Sequence, residues 1–119
     1  MAAPNIAALT TITGKTAVQA VGNTATAIVT NSAASGKVLK INSLYAANIH
    51  AANSGTITVD VYRSSTAYKI ANAINVPINS VYMAIQKDSP IYLEEGDSLR
   101  LTASAASVFE AVCSYEDLS

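Results

Sequence analysis

Apolar and polar residues alternate with a period of two along most of the chain, as in strands that bury one face. From residue 37 the odd positions read Leu39, Ile41, Ser43, Tyr45, Ala47 and Ile49, with Lys40, Asn42 and Asn48 between them. Residues 56–62 place Ile57, Val59 and Val61 on one face and Thr58 and Asp60 on the other. Residues 51–55, Ala-Ala-Asn-Ser-Gly, separate these runs and predict a hairpin turn. Residues 90–94 and 98–103 flank a second predicted hairpin at Glu94-Glu95-Gly96-Asp97, where Gly96 supplies a positive φ. Leu99 and Leu101 face one way there, Arg100 and Thr102 the other.

The last predicted strand, 108–115, sets Phe109, Ala111, Cys113 and Tyr115 against Glu110 and Ser114. Residues 12–21, 24–30, 67–74 and 80–86 complete the set, although the alanines of 67–74 also suit a helix. Gly14, Gly22, Asn31, Gly36, Asn75 and Pro77 punctuate them. Eight or nine short strands at this spacing predict an all-β, single-domain antiparallel β-sandwich of jelly-roll type over residues 10–119. Residues 1–9, uncharged and ahead of the first strand, form a candidate N-terminal arm.

Composition then bears on what the surface is for. Half of the 119 residues are apolar and only 13% are charged, against about 25% in ordinary soluble domains. A domain of this size has too much surface to hide its apolar side chains internally, so part of its exterior is expected to be covered by other subunits. The formal charge of −1 is unevenly spread. Lys15, Lys37 and Lys40 precede the first acid, Asp60, whereas Glu94, Glu95, Asp97, Glu110, Glu116 and Asp117 share the last quarter with Arg100 alone. This asymmetry either steers neighbouring subunits end to end or is solubilising charge in turns. There is no basic cluster interleaved with aromatics, so no nucleic-acid partner is expected. No membrane span is expected either, because Gly22, Asn23, Asn31 and Ser32 interrupt the uncharged stretch 16–36. Residues 1–8 lack the positive start of a secretory signal.

Candidate chemistry is sparse. His50 is the sole histidine and Cys113 the sole cysteine, so neither an internal disulfide nor a structural zinc site is expected. His50 reads as a surface or interface residue, and Cys113 as a small buried hydrophobe. Glu94, Glu95 and Asp97 lack the spacing of a calcium loop and read as an acidic turn. Asp60 and Glu110 lie on polar strand faces without a sign of glycosidase pairing, and there is no tryptophan to stack a sugar. Gly14-Lys15-Thr16 matches the end of a phosphate-binding loop, but Leu9 stands where its first glycine belongs. No enzyme activity, cofactor or metal is expected. The six tyrosines join apolar area to a polar tip, as interface residues do. Ile6, Leu9, Ile12, Tyr45, Tyr62 and Tyr92 are the candidate assembly residues.

Several segments resemble a family of small virion structural proteins of tailed phages, especially those infecting marine cyanobacteria. They are residues 13–18 (Thr-Gly-Lys-Thr-Ala-Val), 35–38 (Ser-Gly-Lys-Val), 41–43 (Ile-Asn-Ser) and 61–69 (Val-Tyr-Arg-Ser-Ser-Thr-Ala-Tyr-Lys). The longest is 92–105, Tyr-Leu-Glu-Glu-Gly-Asp-Ser-Leu-Arg-Leu-Thr-Ala-Ser-Ala, followed by Ser114-Tyr115-Glu116. The resemblance implies a particle component without catalytic residues, on either the head or the tail. The expectation is a capsid decoration protein, assembled in the host cytoplasm and carried on the virion. It would bind the major capsid protein or other virion subunits as a homo-oligomer such as a trimer. A neck, tail or fibre-attachment component and a carbohydrate-binding host-recognition sandwich are the alternatives.

Overall fold

Nine strands realise this alternation in the structure, a computed structural model that describes residues 4–119. They are β1 (Ile12–Val21), β2 (Thr26–Thr30), β3 (Val38–Asn48), β4 (Gly55–Arg63), β5 (Thr66–Val76), β6 (Val81–Ile85), β7 (Ile91–Leu93), β8 (Ser98–Ala103) and β9 (Phe109–Leu118). Residues 67–74 are extended rather than helical, because β4 is available to pair with them. The candidate arm contributes a 3-10 turn, Ile6–Ala8, capped by the Asn5 side chain, which accepts from the Ala7 N–H. Its first three residues lie outside the described residues.

The pairing is that of a long hairpin folded back on itself. β1 pairs with β9, β2 with β8, β3 with both β6 and β7, and β4 with β5, all antiparallel. Rolling the hairpin inserts β9 between β1 and β3, and β8 between β2 and β4. Two sheets result, sheet A in the order β1-β9-β3-β6/β7 and sheet B in the order β2-β8-β4-β5. This is the jelly roll, with β6 and β7 as two halves of one outer strand. Leu39, Ile41, Leu44 and Phe109 of sheet A meet Ile57, Val59, Leu99 and Leu101 of sheet B in a core almost without solvent access.

Two expected hairpins are corrected by this topology. β3 and β4, like β7 and β8, lie in opposite sheets, so residues 51–55 and 94–97 carry the chain across the sandwich. Gly and Asn residues serve a crossing as well as a hairpin, since both need tight reversals. Gly96 does adopt a positive φ of 90°. The two-residue hairpin is instead Ser64-Ser65, between the paired Arg63 and Thr66, with φ values of 51° and 61°. Both central residues being left-handed is the type I′ geometry whose twist suits adjoining strands.

The inward face of β3 also differs from expectation. A bulge between Ile41 and Ser43 moves the buried side from odd to even positions. Leu44, Ala46 and Asn48 therefore enter the core side, while Tyr45 and Ala47 turn outward and Ile49 is exposed. Asp60, expected on an open polar face, is buried at 2% exposure beneath Arg100. Gly55 is no simple turn residue. A Cβ there would lie 2.9 Å from Val108 Cγ1 and 3.0 Å from Phe109 Cε2.

Candidate assembly surface

The ionisable groups in the sandwich largely bond to one another. Lys15 and Lys37 both reach Asp117 Oδ2, at 3.3 and 3.2 Å, and Lys40 lies 3.9 Å from Glu116. The early lysines and late acids thus meet inside one chain, because β9 runs between β1 and β3. On sheet B, Arg100 Nε donates to Asp60 Oδ1 at 2.9 Å while its guanidinium lies 4.0 Å over the Tyr62 ring. A cation over an aromatic face gains from the ring quadrupole, so Tyr62 is a structural partner of this ion pair.

The acidic turn is similarly occupied. Arg63 donates to both oxygens of Asp97 and to Glu94, and the Glu94 N–H donates to Asp97 at 2.8 Å. These donors, the Arg63 hydrogen bond foremost, hold the buried Asp97 carboxyl below its ordinary range. Glu95 accepts from the Gly36 N–H. Between them the buried Asn31 donates to the carbonyls of Lys37 and Leu93, and its backbone bonds to Asp97 and Gly96. These bonds join the β2–β3 and β7–β8 crossings at one end of the sandwich.

At the β3–β4 crossing, buried Asn48 donates to the carbonyls of Asn53 and Val76. His50 Nδ1 accepts from the N–H groups of Ala52 and Asn53 at 3.1 and 3.0 Å, so the imidazole shapes the loop. Cys113 has no solvent access, and burial pushes its thiol up to about 12.

Several large apolar side chains remain exposed on the exterior, among them Val18, Val81 and Met83. On the outer face of sheet A, register aligns Val18 of β1 with Val112 of β9, Tyr45 of β3 and Met83 of β6. Val18 is 74% exposed and Met83 41%. The next row is Ala20, Glu110, Ala47 and Val81, with one charge in four. This two-row patch runs the full width of the sheet. Along the opposite margin of the sandwich, Tyr68 and Ile70 of β5 and Tyr92 of β7 are exposed. With Val61, Arg63 and Ile91 they line a groove between the sheet edges.

The six candidate assembly residues are spread over the start of the chain, sheet A and sheet B. Ile6, Leu9 and Ile12 lie together at the start of the chain, with Ile6 and Ile12 exposed and Leu9 half-buried. Tyr45 is on the outer face of sheet A, Tyr62 on that of sheet B, and Tyr92 on the outermost strand of sheet A. Of these, only Tyr45 belongs to the apolar row. Val18, Val81, Met83 and Val112 were not singled out by sequence, since alternation alone does not say which of two faces is solvent-facing.

No family model matches the chain, and no curated protein matches it. Among solved structures, a chain of the Bacillus endospore appendages, which form disulfide-linked pili, is similar with a TM-score of 0.53 and 17% identity. That match covers 92% of this chain and 88% of the other. A chain of the acid-stable capsid of Helicobacter pylori bacteriophage KHP30 aligns at a TM-score of 0.48 and 7% identity, over 94% of this chain and 90% of that one. What the chain shares with the pilus protein, at that identity, is its all-β fold.

Proposed function

We propose that this protein is a non-enzymatic structural subunit of a phage particle, and specifically a capsid decoration protein. The observation that carries the reading is the apolar patch across sheet A, with Val18, Val112, Tyr45 and Met83 in register. A surface of this kind gains free energy only when another surface covers it, at about 25 cal/mol per Å² removed from water. The internal pairing of Lys15, Lys37, Lys40, Arg63 and Arg100 supports the same reading, because these cations are committed to carboxylates of their own chain. Docking on the major capsid protein through sheet A would leave sheet B and its ion pairs facing outward. Residues 1–9 would extend from the 10–119 sandwich as an arm gripping a neighbour. Linkage by disulfides, as named for the pili, is closed to the folded chain, since Cys113 is its only cysteine and is fully buried.

Particle binding of a Val112→Asp variant tests the docking face. The expected result is loss from purified particles with an unchanged thermal midpoint, because Val112 points away from the core. Retention of the variant would remove sheet A as the docking face. Copy number per particle tests the location: hundreds support head decoration, whereas about a dozen support the neck or tail alternative by the symmetry of those parts.

A carbohydrate-binding reading rests on the Tyr68 and Tyr92 rings exposed in the margin groove. Binding of the purified chain to host surface glycans, abolished by Tyr68→Ala, would favour it over decoration.

A further inference from the structure

The outermost strands of the two sheets are not equally blunted. β2 has five residues and a break in register between Ala27 and Val29. The β5 ladder is broken twice, with Ala73 at a φ of 51° and its N–H drawn onto the Thr58 hydroxyl. β6 has five residues and a register break opposite Leu44 and Tyr45, and β7 has three. Such bulges and short runs prevent an edge from acting as a template. β1 carries none of these protections. It runs ten residues without a bulge or a proline, and its sole charge, Lys15, is bonded to Asp117.

Its free hydrogen-bonding groups can be assigned. Thr11 and Ser119 exchange both backbone bonds, at 2.8 and 3.0 Å, and the register continues unbroken from Ile12↔Leu118 to Val21↔Phe109. Hydrogen-bonded and non-hydrogen-bonded pairs alternate in an antiparallel ladder. The odd residues of β1 therefore bond to β9. Ile12, Gly14, Thr16, Val18 and Ala20 direct their N–H and C=O groups to the open side.

We propose that β1 pairs antiparallel with β1 of a second copy of this chain, around a twofold axis through Thr16. In that register Thr16 meets the partner's Thr16, Gly14 meets the partner's Val18, and Ile12 meets the partner's Ala20. All five edge-facing residues then exchange backbone bonds with their counterparts. A shift of two residues either way loses a pair, and one of the two sets the two Lys15 residues directly opposite, which like charges disfavour. The register also suits the side chains. A Cβ at Gly14 would meet nothing within 4 Å, so the space beside it accepts the partner's Val18, which is 74% exposed in one chain.

The axis stands perpendicular to the sheet, so both copies of sheet A continue as one sheet with their outer faces on the same side. The patch through Val18, Val112, Tyr45 and Met83 is thereby joined to its copy. An edge strand pairs with one other only, so this contact by itself builds a dimer; a trimer needs a different surface. The pairing is independent of the particle reading, because it is a property of the purified chain.

Cysteine substitutions in the purified full chain read the register directly. Across a hydrogen-bonded pair the Cα atoms stand about 5.5 Å apart, within the roughly 4.4–6.8 Å span of a disulfide. Thr16→Cys is expected to give a covalent dimer under mild oxidation with diamide. Val18→Cys is not, because the two copies of that position lie about 13 Å apart along the strands. Thr16→Lys, which opposes two ammonium groups, is expected to sediment as a monomer at concentrations where the native chain is a dimer. Equal cross-linking of both cysteine variants, cross-linking of neither, or a native chain that is monomeric at every concentration overturns the proposal.

Discussion

Arg63, at the end of β4, grips Asp97 in the β7–β8 crossing, its Nε 2.8 Å from Oδ1 and its second nitrogen on Oδ2. Arg63 is part-exposed but the Asp97 side chain has only 2% exposure, so the carboxylate depends on its donors. Removing one partner of a buried pair strands the other. Asp97→Asn is expected to cost about 2–4 kcal/mol at neutral pH, read from urea titrations, the lower end reflecting water around Arg63.

The same contact predicts a pH dependence. A carboxyl held below its ordinary value binds protons less readily folded than unfolded. Its contribution is complete above about pH 4, the unfolded value, and is lost as pH falls through the folded value. In urea titrations at decreasing pH, the stability gap between the native chain and Asp97→Asn should narrow below about pH 4. A gap that stays constant as pH falls well below the unfolded value would show that the charge on Asp97 contributes nothing.

Ser64 and Ser65 hold left-handed conformations that cost L-residues roughly 1 kcal/mol or more each. The double substitution Ser64→Asn with Ser65→Gly installs the residue types that this turn favours, and is expected to raise the thermal midpoint by about 4 °C or more. An unchanged midpoint would mean that the serines have local partners that relieve the strain.

Gly55 and Gly22 form a matched pair for a packing test. Gly55→Ala drives a methyl against Val108 and Phe109 and is expected to cost about 1–3 kcal/mol. Gly22→Ala meets nothing within 4 Å and should fall within about 0.5 kcal/mol of the native chain. Equal effects in denaturant midpoints would show that the core yields around Gly55.

Cys113 should resist thiol reagents in the native chain, because burial both hides the sulfur and pushes its pKa to about 12. Labelling at mildly alkaline pH is expected only as fast as the protein unfolds, and to become immediate in denaturant. Rapid labelling of native protein would mean that β9 opens locally.

Strand content was legible because alternation survives in each strand taken alone. β1 and β8 lie where the pattern puts them, and Phe109, Ala111 and Cys113 face the core. Partner choice was not legible. Gly96 and Gly55 look like hairpin residues from sequence, and only the global closure of two sheets makes their segments crossings. The inward face of β3 was hidden for a related reason: the bulge at Asn42 reverses the alternation within one run, and no residue type marks it. The assembly surface was the least legible, since Val112 and Val59 are alike as letters and differ only in what lies over them.

Pairing of β1 with β9 closes the jelly roll with the two strands farthest apart in sequence. β1 is made before β9, yet it has no hydrogen-bonded neighbour in its sheet until β9 follows. Until β9 pairs with it, β1 has two unpaired edges; afterwards only the side carrying Ile12, Gly14, Thr16, Val18 and Ala20 stays open. The proposed pairing of β1 with a second copy therefore depends on a register that β9 sets.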